Sequence, residues 1–170
     1  SYDPNVRISL WPSKETCRKT ILNTLSWADV VKINEDELEF LTGSRDTSAA
    51  EKLREEHNVP LLIITLDSRG AYFVTKHGGK QVPGFQVELV EATGAGDGFN
   101  SGVIAGLLPL IKGKADKREA LLALEQTKLF EIIQAANAIG AITCTKAGAI
   151  PALPHRDEID AVMAKMAVKS

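Results

Sequence analysis

Val90-Glu91-Ala92-Thr93-Gly94-Ala95-Gly96-Asp97-Gly98-Phe99-Asn100-Ser101-Gly102 leads from a polar turn into a long small-and-apolar segment, Gly98 to Ile111, that suits a buried helix packing closely on a sheet. Two glycines and an alanine just ahead of a helix let backbone approach a ligand closely. The unpaired N–H groups of the helix start, with the positive end of its dipole, make an anion site. Asp97 falls in the first turn, where two readings stand side by side. It is either a carboxylate that caps its own helix, or a general base that takes a proton from a hydroxyl while the N–H groups stabilise a transferring phosphoryl group. The segment is neither GxxxxGK[ST] nor GxGxxG, since no lysine or serine follows the glycines at P-loop spacing and Gly94 and Gly96 lack a third partner.

Working outward, the chain before this turn alternates helical and extended patterns. Lys14 to Leu25 places Cys17, Ile21, Leu22 and Leu25 at helical spacing, and Ala28 to Ile33 is a short β-branched run, a buried strand. Asp36 to Leu41 reads as a short helical turn ended by Gly43, and Thr47 to His57 as a charged amphipathic helix stopped by Asn58-Val59-Pro60. Leu61 to Leu66 is a continuous apolar strand of the kind buried on both faces of a parallel sheet, so the pattern is βαβ and the class α/β. Ala71 to Thr75 and Gln81 to Val90 read as extended stretches joined by Lys76-His77-Gly78-Gly79, a hairpin. After α-type segments within Ala120 to Thr145 come a Gly/Pro loop, Lys146 to Pro154, and an amphipathic helix, Arg156 to Val168.

Composition bounds the partners. The 170 residues carry 22 acidic and 20 basic side chains, a formal charge of −2 that offers no long-range pull on nucleic acid or an anionic membrane. An anionic small ligand must be held by local groups. Two separated cysteines, Cys17 and Cys144, fit a reducing compartment and no structural zinc. With no long apolar run and no secretory pattern at its start, the chain reads as soluble and cytoplasmic. Ser1-Tyr2-Asp3-Pro4-Asn5 looks like the tail of a strand already under way, as in the end of a longer chain.

Glu91 to Gly106 resembles the D-T-T-G-A-G-D signature and following helix of the ribokinase-like, or pfkB-type, carbohydrate kinases. Other stretches agree with that family in the same order. Lys32 to Glu37 matches its N-x-x-E element and Ile64 to Ala71 its strand and nucleotide loop. Ala135 to Ala138 and Lys146 to Pro154 match its adenine and closing loops. The opening Asp3-Pro4-Asn5-Val6-Arg7 with Leu10-Trp11 most resembles the fructokinase and 2-keto-3-deoxygluconate kinase branches. The resemblance covers essentially the whole chain, 1–170, and implies a Rossmann-type three-layer α/β sandwich with a mostly parallel sheet. The chain would be its C-terminal nucleotide-binding and catalytic part, without the N-terminal half and lid.

Carried over residue by residue, the resemblance implies ATP-dependent phosphorylation of a sugar hydroxyl, most simply fructose to fructose 6-phosphate. 2-Keto-3-deoxygluconate and ribose are the alternative acceptors. Asp97 would be the base for the sugar hydroxyl, and Gly94, Ala95 and Gly96 would form the anion hole. Asn34 would lie near the phosphates, and Glu37 would help hold hydrated Mg²⁺; by spacing alone the pair is equally a capping box. Thr65, Asp67, Ser68, Arg69, Gly70, Ala71 and Tyr72 would contact nucleotide, with Asp67 standing where the family usually has glycine. A carboxylate there repels polyphosphate unless it faces solvent or a cation. Asn137 would sit on the adenine side, or else be a polar spot on a packed helix. Glu91 would hold K⁺ together with backbone oxygens of Thr93, Thr143, Lys146 and Gly148, although Glu91 replaces aspartate, Ala92 threonine and Ala152 a frequent serine. Arg7 is the candidate for sugar or phosphate, against a plain surface salt bridge. A full-length homodimer is the implied assembly.

Two further readings compete. A kinase-like binding or assembly module would keep the fold without turnover, with Asp67, Glu91 and Ala92 in its favour. A dinucleotide-binding oxidoreductase domain lacks both the glycine fingerprint and the ribose-binding acid. His57, His77 and His155 have no metal-like spacing and read as solvated, and Trp11 and Trp27 as core or edge packing.

Overall fold

The structure, a computed structural model, describes residues 1–167. They form two compact units: Ser1–Leu66 with Ala71–Gln81 and Ala115–Leu124, and Asp67–Gly70 with Val82–Lys114 and the chain from Glu125 on.

The first unit is built on a four-stranded sheet in the order β1-β2-β3-β4, with β1 at Val30–Asn34, β2 at Leu61–Thr65, β3 at Ala71–Thr75 and β4 at Gly78–Val82. β1 and β2 pair in parallel from Val30↔Leu61 to Asn34↔Thr65, as the apolar runs require. β2 and β3 pair antiparallel, so the sheet is mixed where a mostly parallel one was expected. Helix α1, Lys14–Leu25, begins where Ser13 accepts from the Thr16 N–H and buries Cys17, Ile21 and Leu25. Helices α2, Glu35–Thr42, and α3, Thr47–Glu56, fill the crossover. Their inward side chains, Leu38, Leu41, Ala50 and Leu53, share one core with Val31, Ile33, Leu62 and Ile64. Burying each of the leucine, isoleucine and valine side chains contributes about 1.5–3 kcal/mol. Tyr2 makes a single parallel bridge to Val31, and the short helix α5, Lys117–Leu122, carries Arg118 to Asp29 and the Asn58 carbonyl.

The expected strand over Gln81–Val90 stops at Val82. Pro83 has no N–H to continue a ladder, and the β3–β4 turn is the two residues Lys76 and His77. Trp27 is 88% exposed rather than packed, whereas Trp11 does pack on the core. His57 is half-buried beside the Ser26 hydroxyl.

The second unit is helical: α4 at Ala95–Ile111, α6 at Gln126–Thr143 and α7 at Arg156–Ala167. The end expected at Val168 lies outside the described residues. A glycine stripe on α4 faces α6: Gly98 meets Thr143 and Ile139, Gly102 meets Ile139 and Ala136, and Gly106 meets Ile132. The order of these contacts makes the two helices antiparallel. The close packing foreseen against a sheet is therefore spent on a helix. Among the described residues no helix is long and apolar enough to cross a membrane.

Candidate active site

Helix α4 starts three residues earlier than the sequence suggested. Gly94 is its N-cap, at φ 82°, and Ala95, Gly96 and Asp97 are its first three residues. A left-handed cap costs glycine little, and a Cβ there would lie 2.9 Å from the Ala149 Cα. The Ala95 N–H returns to the Ala92 carbonyl at 3.2 Å, and the helical ladder opens with Gly98 N–H to Gly94 at 2.8 Å. Between them, the Gly96 and Asp97 N–H groups donate to no acceptor among the described residues. These are the orphan donors of a helix start, aimed at the helix mouth. The Asp97 side chain is exposed and takes no hydrogen bond or ion pair from the described residues, so the capping reading has no bond to support it.

The C-terminal end of α6 and the loop after it support this turn. The Cys144 carbonyl accepts from Val90 and Glu91 N–H at 2.8 and 3.2 Å. Glu91 Oε2 accepts from the Gly148 N–H at 2.8 Å. The Thr93 hydroxyl and then this N–H hold the Glu91 carboxyl below the usual carboxylate range. Thr143 is fully buried and donates to the Ile139 carbonyl, and Lys146 pairs with Glu158, which also accepts from the His155 N–H.

Asp67, Ser68 and Arg69 form one exposed 3₁₀ turn closed by Gly70 N–H to Asp67 at 3.1 Å. Asp67 sits at φ 50°, which explains why glycine would suit the position: aspartate is one of the few residues that tolerate it. Gly70 and Gly84 cross backbone to backbone with no room for a Cβ on either. Gln86 donates to the Ser68 carbonyl at 3.3 Å. Burial, and after it the Asp67 carboxylate, pushes the Cys144 thiol up, so this turn and the Gly94 turn both converge on Cys144. Asn137 is buried, and its amide donates to the Val82 and Pro83 carbonyls at 3.3 and 3.1 Å. Its side-chain nitrogen thus ties α6 to the chain at Val82 and Pro83.

The remaining candidates belong to the first unit. Asn34 and Thr65 are register partners at the carboxyl ends of β1 and β2, where open α/β sheets receive ligands. Ala71 is fully buried beside Thr65 and offers no side-chain contact. The Tyr72 hydroxyl turns to Glu51 on α3 at 2.8 Å. Asn34 and Glu37 form a complete capping box, and Glu37 is 6% exposed with Oε1 on the Val6 N–H and Oε2 on the Asn34 N–H. Both oxygens are thus engaged by backbone N–H groups, as the capping spacing implies. Arg7 is exposed, and the surface salt bridge weighed for it is absent among the described residues. No three His, Cys, Asp or Glu side chains of the described residues gather as a metal cage. The sequence missed the Cys144 carbonyl, Ala149 and Gln86; the first two act through backbone, which leaves no side-chain signature.

Residues 1–156 match the model of a family described as pfkB family carbohydrate kinase. The chain is 41% identical over 164 residues to a probable fructokinase-4 of Arabidopsis thaliana, across 96% of this chain and 48% of that protein. It is 43% identical over 161 residues to a fructokinase-1 of Zea mays, across 94% and 47%. The crystal structure of a fructokinase with bound ATP from Xylella fastidiosa matches with a TM-score of 0.84 at 26% identity, over 97% of this chain and 51% of that one. A Vibrio cholerae O395 fructokinase in fructose, ADP and potassium ion bound form matches with a TM-score of 0.77 at 31% identity, over 94% and 48%. The chain spans about half the length of the curated relatives it matches.

Proposed function

The chain belongs to the pfkB family of carbohydrate kinases, and from that premise we propose that the whole protein transfers the terminal phosphoryl group of ATP to a sugar hydroxyl, most simply that of fructose. This chain supplies the nucleotide-binding part and the base. The observation that carries the reading is the Asp97 carboxylate, exposed and without a hydrogen bond among the described residues, beside two N–H groups that these residues leave unclaimed. The N–H groups of Gly96 and Asp97 hold the phosphoryl oxygens. Asp97 takes the hydroxyl proton as the sugar oxygen bonds to the γ-phosphorus. The bond from that phosphorus to the bridging oxygen breaks, and ADP leaves. Mg²⁺ would arrive with ATP, held mainly by phosphate and water, and would supply neutralisation of phosphate charge without an all-protein cage.

ATP-dependent phosphorylation of fructose by the whole protein, with and without Asp97→Asn, tests this. The variant is expected to lose roughly 10²–10⁴ in kcat with little change in ATP affinity. Full activity in the variant would remove Asp97 from the role. Parallel assays with 2-keto-3-deoxygluconate and ribose decide the acceptor. Calorimetry on the 170-residue chain is expected to show MgATP binding without fructose binding.

A further inference from the structure

The loop after α6 meets the phosphate turn on both sides of Gly94. Upstream, Glu91 Oε2 takes the Gly148 N–H at 2.8 Å. Beneath Gly94 itself lies Ala149, so close that no Cβ fits. A shift of Gly148 away from Glu91 would carry Ala149 with it and open the seat of the helix cap. The orphan N–H groups of Gly96 and Asp97 follow that cap directly, so their direction depends on this seat.

A monovalent cation is the group the family resemblance implies at this place. It would need the oxygens of Glu91 and of its neighbours turned to one point. Instead the Glu91 carboxylate, the one charged ligand expected, is turned to hydrogen-bond donors, the Gly148 N–H and the Thr93 hydroxyl. The Thr143 carbonyl accepts from the Lys146 N–H at 3.4 Å. Ala92 and the buried Ala152 bring no side-chain oxygen. This donor set does not fit the ion. It does fit the extra length of glutamate, whose one further C–C bond adds about 1.5 Å of reach over aspartate.

We propose that Glu91 is a positioning residue that replaces a bound cation: its carboxylate latches Gly148 to the turn, so that the phosphate-binding N–H groups are set without a monovalent ion. This rests on the reading of the Gly94–Asp97 turn as a phosphate site. What matters in the latch is an acceptor oxygen at glutamate's reach, not the negative charge. A cation ligand would obey the opposite rule.

The test compares the wild-type chain with Glu91→Gln, Glu91→Asp and Glu91→Ala, each in potassium chloride and in tetramethylammonium chloride. Amide hydrogen exchange is read at Gly148, and MgATP affinity by calorimetry. The latch predicts that Gln, of equal reach, keeps Gly148 exchange within about threefold of wild type, while Ala and Asp speed it by roughly tenfold or more. It also predicts wild-type exchange and MgATP affinity that differ by less than about twofold between the two salts. The proposal is overturned if Gln exchanges as fast as Ala, or if potassium tightens MgATP binding or slows Gly148 exchange several-fold in the wild type. A chain that binds no MgATP in either salt refutes the nucleotide reading, and the exchange comparison alone then decides the latch.

Discussion

Replacing Gly102 with alanine should cost stability even though it puts the best helix former in the middle of a helix. A Cβ at Gly102 would lie 2.8 Å from Ile139 Cδ1, 2.9 Å from Ala136 Cα and 3.2 Å from Ala136 Cβ. Ordinary carbon contacts sit at about 3.5–4.0 Å, so the alanine is about 0.6–1.1 Å too close to α6 backbone. The Ile139 terminus can swing away; the Ala136 Cα moves only if the helices separate. Overpacking of this kind costs ~1–3 kcal/mol, against a gain of ~1 kcal/mol in helix propensity. The net expectation is a loss of ~1 kcal/mol, rising to ~3 kcal/mol for Gly102→Val, which adds two methyl groups. Gly106→Ala is a second instance of the same clash: its Cβ would lie 2.7 Å from Ile132 Cγ2 and 3.3 Å from Ile132 Cβ. Ile132 is buried and β-branched, with χ1 held to one rotamer in a helix, so this variant should lose stability as well. Urea unfolding followed by circular dichroism measures all three. The packing argument fails if either alanine variant is stabilised by the full propensity gain. On the phosphate reading of the turn at the start of α4, Gly102→Ala should also weaken MgATP binding.

Asp67→Gly should relieve the left-handed strain at φ 50° and remove a carboxylate that raises the Cys144 thiol pKa. Cys144 is then expected to react faster with iodoacetamide at mildly alkaline pH. Cys17, fully buried, stays silent, and an unchanged rate would mean that Asp67 exerts no charge effect there. Burial first, and then the hydrogen bond to Glu51, pushes the Tyr72 hydroxyl up to about 12. A group whose folded pKa is raised stabilises the fold fully below its unfolded value of about 10. That contribution is lost as pH climbs from there to about 12. Tyr72→Phe should flatten this alkaline loss of stability, and an identical pH profile would count against the Tyr72–Glu51 pair.

How much of this was legible depended on whether a side chain or the backbone carried the signal. Leu61 to Leu66 announced a strand buried on both faces because its neighbours are apolar without alternation, and Asn34 to Glu37 announced a capping box by spacing alone. Gln81 to Val90 looked extended for its valines, yet one missing N–H at Pro83 ended the ladder. Helix α4 begins through Ala95 and Gly96, against the weak propensity of glycine. The left-handed cap at Gly94 and the packing of Gly98 on Thr143 decide its start, and both depend on residues some fifty positions away. Asp97 could be placed at the helix start from sequence. That it makes no cap bond was a matter of geometry. The Cys144 carbonyl, which ties the turn down, is identical in every residue type and so invisible in any one.

The antiparallel course of α4 and α6 has an electrostatic corollary. The positive end of one helix dipole lies beside the negative end of the other, since Val90 and Glu91 at the entry to α4 are bonded to Cys144 at the exit of α6. Two opposed dipoles cancel at a distance and leave only a contact-range field at the exposed N–H groups. On the proposed phosphate reading, a formal charge of −2 gives a polyphosphate no attraction from beyond a Debye length. Encounter would then be left to ordinary diffusion, with discrimination beginning only when the phosphate oxygens are within reach of the helix mouth. Such a receptor gains no capture rate at low ionic strength, and its selectivity resides in the dissociation rate.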